Sequence, residues 1–105
     1  MQFDSFADFY PFYLSQHRNG TCRQLHAVGT TLVFGLAVTS ALTREPSLLL
    51  GLPVIGYGFA WIGHFVFEKN RPATFKAPLY SLWGDFVMWK DMLIGRVPWT
   101  GTLPE

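Results

Sequence analysis

The chain has 105 residues, of which 50% are apolar and 17% aromatic, while only 14% are charged, against about 25% in an average globular protein. That length allows one domain, taken as residues 1–105, and the composition is the reverse of a disordered segment, which is charge-rich and aromatic-poor. Eight Lys and Arg against seven Asp and Glu leave a net charge of +1, so no basic face exists to neutralise many phosphates and nucleic acid is excluded as a partner.

In chain order, Asp4 and Asp8 with no early Lys or Arg make the wrong start for a secretory signal. The first segment, Phe3 to His17, is dense in Phe and Tyr and interrupted by Pro11, and its later part sets Tyr13, Leu14 and His17 on one helical face. Asn19-Gly20 ends it. Thr21-Cys22-Arg23-Gln24 has the pattern of a capping box opening a long helix. Cys22, the single cysteine, excludes a disulfide framework and a Cys-rich metal site.

Two stretches then follow, Gln24–Thr43 and Pro46–Phe67, of 20 and 22 residues, with no formally charged side chain in either. At about 1.5 Å per residue each reaches across a hydrocarbon core of about 30 Å as a helix. In water both would have to be wholly buried, and so short a chain has too little else to cover them. They predict a membrane hairpin, turned at Thr43-Arg44-Glu45-Pro46 with Pro46 at the first position of the second helix. Pro53 is expected to kink the second helix, and Asn70-Arg71-Pro72 to close it. Gly29, Gly35, Gly56, Ala60 and Gly63 either allow close backbone approach or reflect ordinary membrane-helix composition.

Leu79 to Ile94 reads as an amphipathic interfacial helix. Leu79, Leu82, Trp83, Phe86 and Leu93 form its apolar stripe, and Ser81, Gly84, Asp85 and Asp91 lie opposite. Gly95 and Pro98 stop it, and the tail is irregular. The expected architecture is all-α, with about four helices: a membrane hairpin and flanking amphipathic or interfacial helices. Arg44 is the one cation of the turn, against seven at the two ends: Arg18, Arg23, Lys69, Arg71, Lys76, Lys90 and Arg96. This distribution predicts an integral membrane protein with both termini cytoplasmic.

His26 stands 19 residues before Glu45 and His64 stands 19 after it, so folding at the turn brings both imidazoles to one depth. His17, just before the Asn19-Gly20 break, can fold onto the same end. Three neutral imidazoles suit zinc or iron and leave coordination positions open; the alternative is three interfacial polar groups. Glu68 follows His64 by four positions on the same face, as a ligand, as a partner orienting His64, or as a solvated helix end. No His-Glu-x-x-His, paired Glu-x-x-His, phosphate-binding glycine loop or Gly-x-Ser-x-Gly elbow occurs. Of the familiar sites, a mononuclear histidine-rich metal centre is left.

Phe12-Tyr13-Leu14-Ser15-Gln16-His17-Arg18-Asn19 with Arg23-Gln24-Leu25-His26-Ala27-Val28-Gly29-Thr30, then Ala60 to Phe75 through Gly63-His64-Phe65-Val66-Phe67-Glu68, then Pro78-Leu79-Tyr80-Ser81-Leu82-Trp83-Gly84-Asp85-Phe86, resemble three blocks of the Mpo-type 2-hydroxy fatty acid dioxygenases, small membrane proteins of fatty acid α-oxidation. The resemblance spans roughly Phe12 to Arg96. It implies an Fe(II)-dependent dioxygenase that takes a 2-hydroxy long-chain fatty acid and molecular oxygen and leaves the acid one carbon shorter, with His17, His26 and His64 as metal ligands. It places the protein in a lipid bilayer, the bacterial inner membrane or the endoplasmic reticulum, with homo-oligomerisation open. On that reading Arg71, Arg18 or Arg23 either neutralises the substrate carboxylate or anchors the chain at the membrane face. Asp85 accepts a hydrogen bond from a ligand histidine or faces water. Tyr57 and Trp61 line an acyl channel or pack the hairpin. The competing readings are a non-catalytic membrane protein that binds metal or lipid and recruits partners, and a zinc- or haem-binding protein with other chemistry.

Overall fold

The computed structural model describes residues 3–71 and 77–103. Pro72 and Lys76, used above for helix closure and charge counting, lie outside the described residues. The described chain is all-helical, with four helices: α1 Phe6–Ser15, α2 Gly20–Thr43, α3 Gly51–Ile62 and α4 Pro78–Leu93. A 3-10 turn, Pro46–Leu50, leads into α3, and a π-helical turn, Gly63–Glu68, continues it. The second arm of the hairpin thus runs unbroken over Pro46–Glu68.

Several local expectations are corrected by capping chemistry. Pro11 does not interrupt the first segment: α1 passes through it, capped by the Ser5 side chain, which accepts from the Asp8 N–H. The proline removes one i→i−4 donor, and because Pro11 is exposed the freed carbonyl need not be buried with it. The long helix opens at Asn19 rather than in the Thr21–Gln24 box. Asn19 Oδ1 accepts from the N–H groups of Thr21 and Cys22, at 2.8 and 3.2 Å. Pro53 falls at the third residue of α3, just past the 3-10 turn, so the arm departs from regular α-helix immediately before the proline. Lys69 closes the second arm, adopting left-handed geometry (φ 58°) so that the Asn70 N–H reaches the His64 carbonyl at 3.0 Å.

The hairpin arms meet at small residues. A Cβ on Gly29 would lie 2.9 Å from the Phe59 Cβ, and one on Gly63 would lie 2.9 Å from the Cys22 sulfur, so side chains larger than hydrogen would part the helices there. The outer faces are apolar and uncovered: Leu42 is 80% exposed, Leu50 79% and Val54 72%. Only 28% and 17% of the most apolar windows of the two arms are buried, unlike the core helices of a water-soluble protein. Both arms are long and apolar enough to cross a membrane.

α4 is turned inside out by the standards of a soluble protein. Its small and polar residues, Ser81, Gly84 and Asp91, are buried with Met88 and Met92, while Leu79, Leu82, Trp83 and Leu93 are exposed. The polar stripe that the sequence places opposite the apolar one faces the protein, where Tyr10 donates to Asp91 at 2.8 Å. The apolar stripe faces outward, as on a helix lying against lipid. Phe9, Tyr13, Ala27, Met88, Met92 and Val97 form the buried core between α1, α2 and α4.

Past Gly95 (φ 83°) the chain is irregular but strapped down. Arg23, wholly buried, donates all five of its N–H groups to backbone carbonyls. Nε reaches Pro98, one terminal nitrogen reaches His17 and Arg18, and the other reaches Thr100 and Gly101, over 2.7–3.2 Å. Arg18 and Leu103 exchange two further bonds. With every donor of Arg23 used on backbone, it has none left for a carboxylate ligand. Lys offers three donors in place of five, and each bond to a charged group contributes about 1.5–3 kcal/mol. Arg23→Lys is therefore expected to lower the thermal midpoint and to speed proteolysis within 97–103; cleavage at the wild-type rate would contradict the clamp.

Candidate metal centre

His17 follows α1, His26 is in the second turn of α2, and His64 lies in the π-helical turn at the end of the second arm. The structure brings all three together. Their ring centroids are 4.4, 4.4 and 5.0 Å apart and their planes stand at 77–88° to one another. All three are buried. The equal spacing of His26 and His64 from the hairpin turn thus puts them at one level, and the π-helical turn that starts beside His64 brings Asn70 back over it, with the Asn70 N–H on the His64 carbonyl.

Each Nδ1 faces an oxygen acceptor on its own side of the cluster. His17 Nδ1 donates to the Tyr13 carbonyl at 2.6 Å, and His26 Nδ1 to the Cys22 carbonyl at 2.9 Å, both four residues back along the chain. His64 Nδ1 donates to Asn70 Oδ1 at 2.8 Å, and the Asn70 amide is oriented in turn by donating to the Gln16 carbonyl and Oε1. Carbonyl oxygens can only accept, so the proton of each neutral ring belongs on Nδ1 and each Nε2 carries a lone pair. The Nε2 atoms of His17 and His26 are 3.1 Å apart. Two lone pairs at that distance repel unless a cation lies between them. Nitrogens bound at about 2.0–2.1 Å to one ion stand about 2.9–3.4 Å apart for ligand angles between square and tetrahedral, so the observed separation fits ligation of a common metal.

Burial and the other two rings hold the His17 imidazole well below its ordinary pKa, keeping it neutral. The Tyr13 ring stacks on it at 4.0 Å and donates its hydroxyl to Asp85. Burial, then the Asp85 carboxylate, pushes the Tyr13 phenol up, so it stays a donor. Burial raises Asp85 to about 7, opposed by the Tyr13 bond. Asp85 Oδ1 lies 4.0 Å from His26 Nε2, beyond hydrogen-bond reach but on the lone-pair side.

Of the other expected site residues, Glu68 accepts from the Asn19 backbone N–H and so ties the end of the second arm to the start of α2. Arg71 is exposed beyond Lys69. Cys22, in contrast, joins the cluster: its sulfur is 3.7 Å from His26 Nδ1, and one donor atom each from His17, Cys22, His26 and His64 lie within 4.8 Å of one another. These four buried residues could hold a metal ion. Sequence reasoning missed Cys22 as a neighbour of the cluster, although its i, i+4 spacing to His26 was a usable signal. It also missed Asn70 as a partner of His64, and although Tyr13 shares a helical face with His17 in the sequence, no role at the cluster was assigned to it.

A cavity of about 300 Å³ starts at His26 and Asp85 and runs between the hairpin arms toward the turn. Thr30 and Val33 form the α2 side, and Ala60, Tyr57, Gly56 and Pro53 the α3 side. Leu82 and Phe86 of α4 flank it. Tyr57 therefore lines a channel, while Trp61 packs against Tyr57 at 5.6 Å and lies outside that lining.

An all-helical protein with a buried cluster of three imidazoles at the head of an apolar channel is the class that fold and site define. The family model described as 2-hydroxy-palmitic acid dioxygenase Mpo1-like matches residues 3–97, and the chain belongs to that family. Neither the curated proteins nor the solved structures contain a match.

Close packing of Tyr13 on α4 makes one residue sensitive. A Cβ on Gly84 would lie 2.9 Å from the Tyr13 ring, whereas one on Gly58 would meet open space. Gly84→Ala is expected to cost about 1–3 kcal/mol through overpacking, and Gly58→Ala to be neutral or to stabilise by up to about 1 kcal/mol. Thermal unfolding of both variants checks this; equal effects would show that Gly84 is not pinned by Tyr13.

Proposed function

We propose that the protein is an integral membrane Fe(II)-dependent dioxygenase that converts a 2-hydroxy long-chain fatty acid and molecular oxygen to the fatty acid one carbon shorter. The observation that carries this reading is the continuity of two features: a buried cluster of three imidazoles, with the Nε2 atoms of His17 and His26 3.1 Å apart, and an apolar channel beginning beside it. Family membership supports the choice of substrate and of dioxygen chemistry. The uncovered apolar faces of both hairpin arms support insertion in a bilayer, and the excess of Lys and Arg at the two ends supports cytoplasmic termini.

In this reading His17, His26 and His64 hold the ion, and a bound Fe(II) supplies open positions for oxygen and for the chelating carboxylate and hydroxyl of the substrate. Tyr13, Cys22 and Asn70 fix the rings through their Nδ1 protons, which keeps the Nε2 atoms aimed before substrate arrives. Asp85, held by the Tyr13 hydroxyl at the mouth of the channel, faces the reacting end of the acid and can exchange a proton with it. Arg71, exposed past the end of the second arm, is assigned the role of attracting the substrate carboxylate. Glu68 acts by holding Asn19, and with it the start of α2, against the second arm. The channel walls shield the chain from water.

Two outcomes are expected. Detergent-purified protein carries about one iron per chain, and incubation with 2-hydroxypalmitate in air yields the C15 acid; removal of the metal with a chelator abolishes the product and Fe(II) restores it. His26→Ala loses the metal. In a separate variant, Asn70→Ala weakens metal binding by about 10–100-fold, as loss of a hydrogen bond to a ligand imidazole does elsewhere, while Asn70→Asp retains it. Iron bound with no product would favour a non-catalytic metal-binding protein, and no metal bound by wild type would refute the centre.

A further inference from the structure

The hairpin glycines divide by what they face. Gly29 and Gly63 are required by packing, since a Cβ on either would collide at 2.9 Å with the opposite arm. Gly56 is different. It lines the channel, yet a Cβ there would meet only the Val33 Cγ2, at 3.6 Å, which is ordinary contact. Packing of the two arms therefore leaves room for a side chain at this position, and what the bare backbone preserves is the bore of the channel.

Resting on the dioxygenase reading above, we infer that Gly56, opposite Val33, sets the chain-length specificity of the site: the alkyl chain of the 2-hydroxy acid passes between them on its way from the imidazoles toward the hairpin turn. The channel wall on α3 runs from Ala60 at the head past Gly56 to Leu52. At about 1.5 Å per residue these marks lie about 6 and about 12 Å below Ala60. With C–C bonds of about 1.5 Å in a zigzag chain, the two distances hold about five and about ten carbons. A six-carbon acid with C1 and C2 at the head ends before Gly56, and a sixteen-carbon acid must pass it. Pro53 and Tyr57 on one side and Leu82 on the other line the channel and are themselves exposed. The channel therefore opens sideways between α3 and α4, and carbons beyond about the tenth emerge among lipid chains.

Leucine at position 56 adds four carbons directly into this passage. The test compares Gly56→Leu with Gly58→Leu, a substitution of the same size two residues on, where a Cβ meets nothing within 4 Å. Both are purified in detergent, loaded with iron and supplied with 2-hydroxypalmitate or 2-hydroxyhexanoate. Gly56→Leu is expected to lower kcat/KM for the long acid at least tenfold more than for the short one, mainly through KM, with metal content kept. Gly58→Leu leaves the ratio as in wild type. An unchanged ratio in Gly56→Leu overturns the inference while leaving the dioxygenase reading intact. If Gly56→Leu fails to fold, Gly56→Ala carries the test, with a shift of about twofold to threefold in the same direction expected and no shift overturning it. If wild type gives no product from either acid, that reading falls, and displacement of a fluorescent hexadecanoic acid decides this one: tenfold weaker binding in Gly56→Leu alone upholds it, and equal binding or none overturns it.

Discussion

Three hydrogen bonds on the outer side of the imidazole cluster determine what its inner side can do. Because the Tyr13 and Cys22 carbonyls and the Asn70 side-chain oxygen each take an Nδ1 proton, all three Nε2 atoms are left as lone pairs in a buried space. Lone pairs 3.1 Å apart do not attract each other; they are stable together around a cation. The three rings pack nearly perpendicular to one another, with centroids 4.4–5.0 Å apart, and their donor atoms are close enough to hold a metal ion between them. Two of the three acceptors are backbone carbonyls four residues upstream, so for His17 and His26 the local chain supplies the orientation, and only His64 needs a side chain, that of Asn70.

The rest of the fold can be understood as support for that cluster from a chain with little interior. α1 contributes Tyr13 to stack on His17, and Gly84 lets α4 come close enough for Asp85 to hold the Tyr13 hydroxyl. The Arg23 guanidinium binds the carbonyls of His17 and Arg18 with one nitrogen and the C-terminal strap with the others, so the loop bearing the first histidine is fixed from behind. Burying a charged group without its hydrogen bonds would be costly, and five carbonyls satisfy this one. The polar interior and apolar exterior of α4 suit a protein whose surroundings are partly hydrocarbon.

Much of this was legible in the sequence because it rests on spacing. Two uncharged stretches of near-equal length around Glu45 imply a hairpin, and equal offsets from the turn imply that His26 and His64 meet, whatever the details of the helices. The all-helical class, and the four helices among the described residues, follow from these stretches together with the two flanking helical segments. Where the sequence misled, the cause was local competition between caps and breakers. Asn19 outcompetes Thr21 because its side chain reaches two N–H groups at once, and α1 passes through Pro11 without a break. The roles of Arg23, Asn70 and the Tyr13–Asp85 bond depend on contacts across 5 to 78 residues, which no periodicity records. Glu68, four residues from His64, illustrates the converse: the spacing holds, but its carboxylate goes to the Asn19 N–H.

X-ray absorption at the iron edge of the loaded, detergent-purified protein addresses the central claim most directly, because it counts the ligands that the ring geometry dictates. Three imidazole nitrogens in the iron coordination shell, falling to two in His17→Ala, are the predicted result. A shell of oxygen donors alone, or one with fewer than three imidazoles in the intact protein, would contradict it.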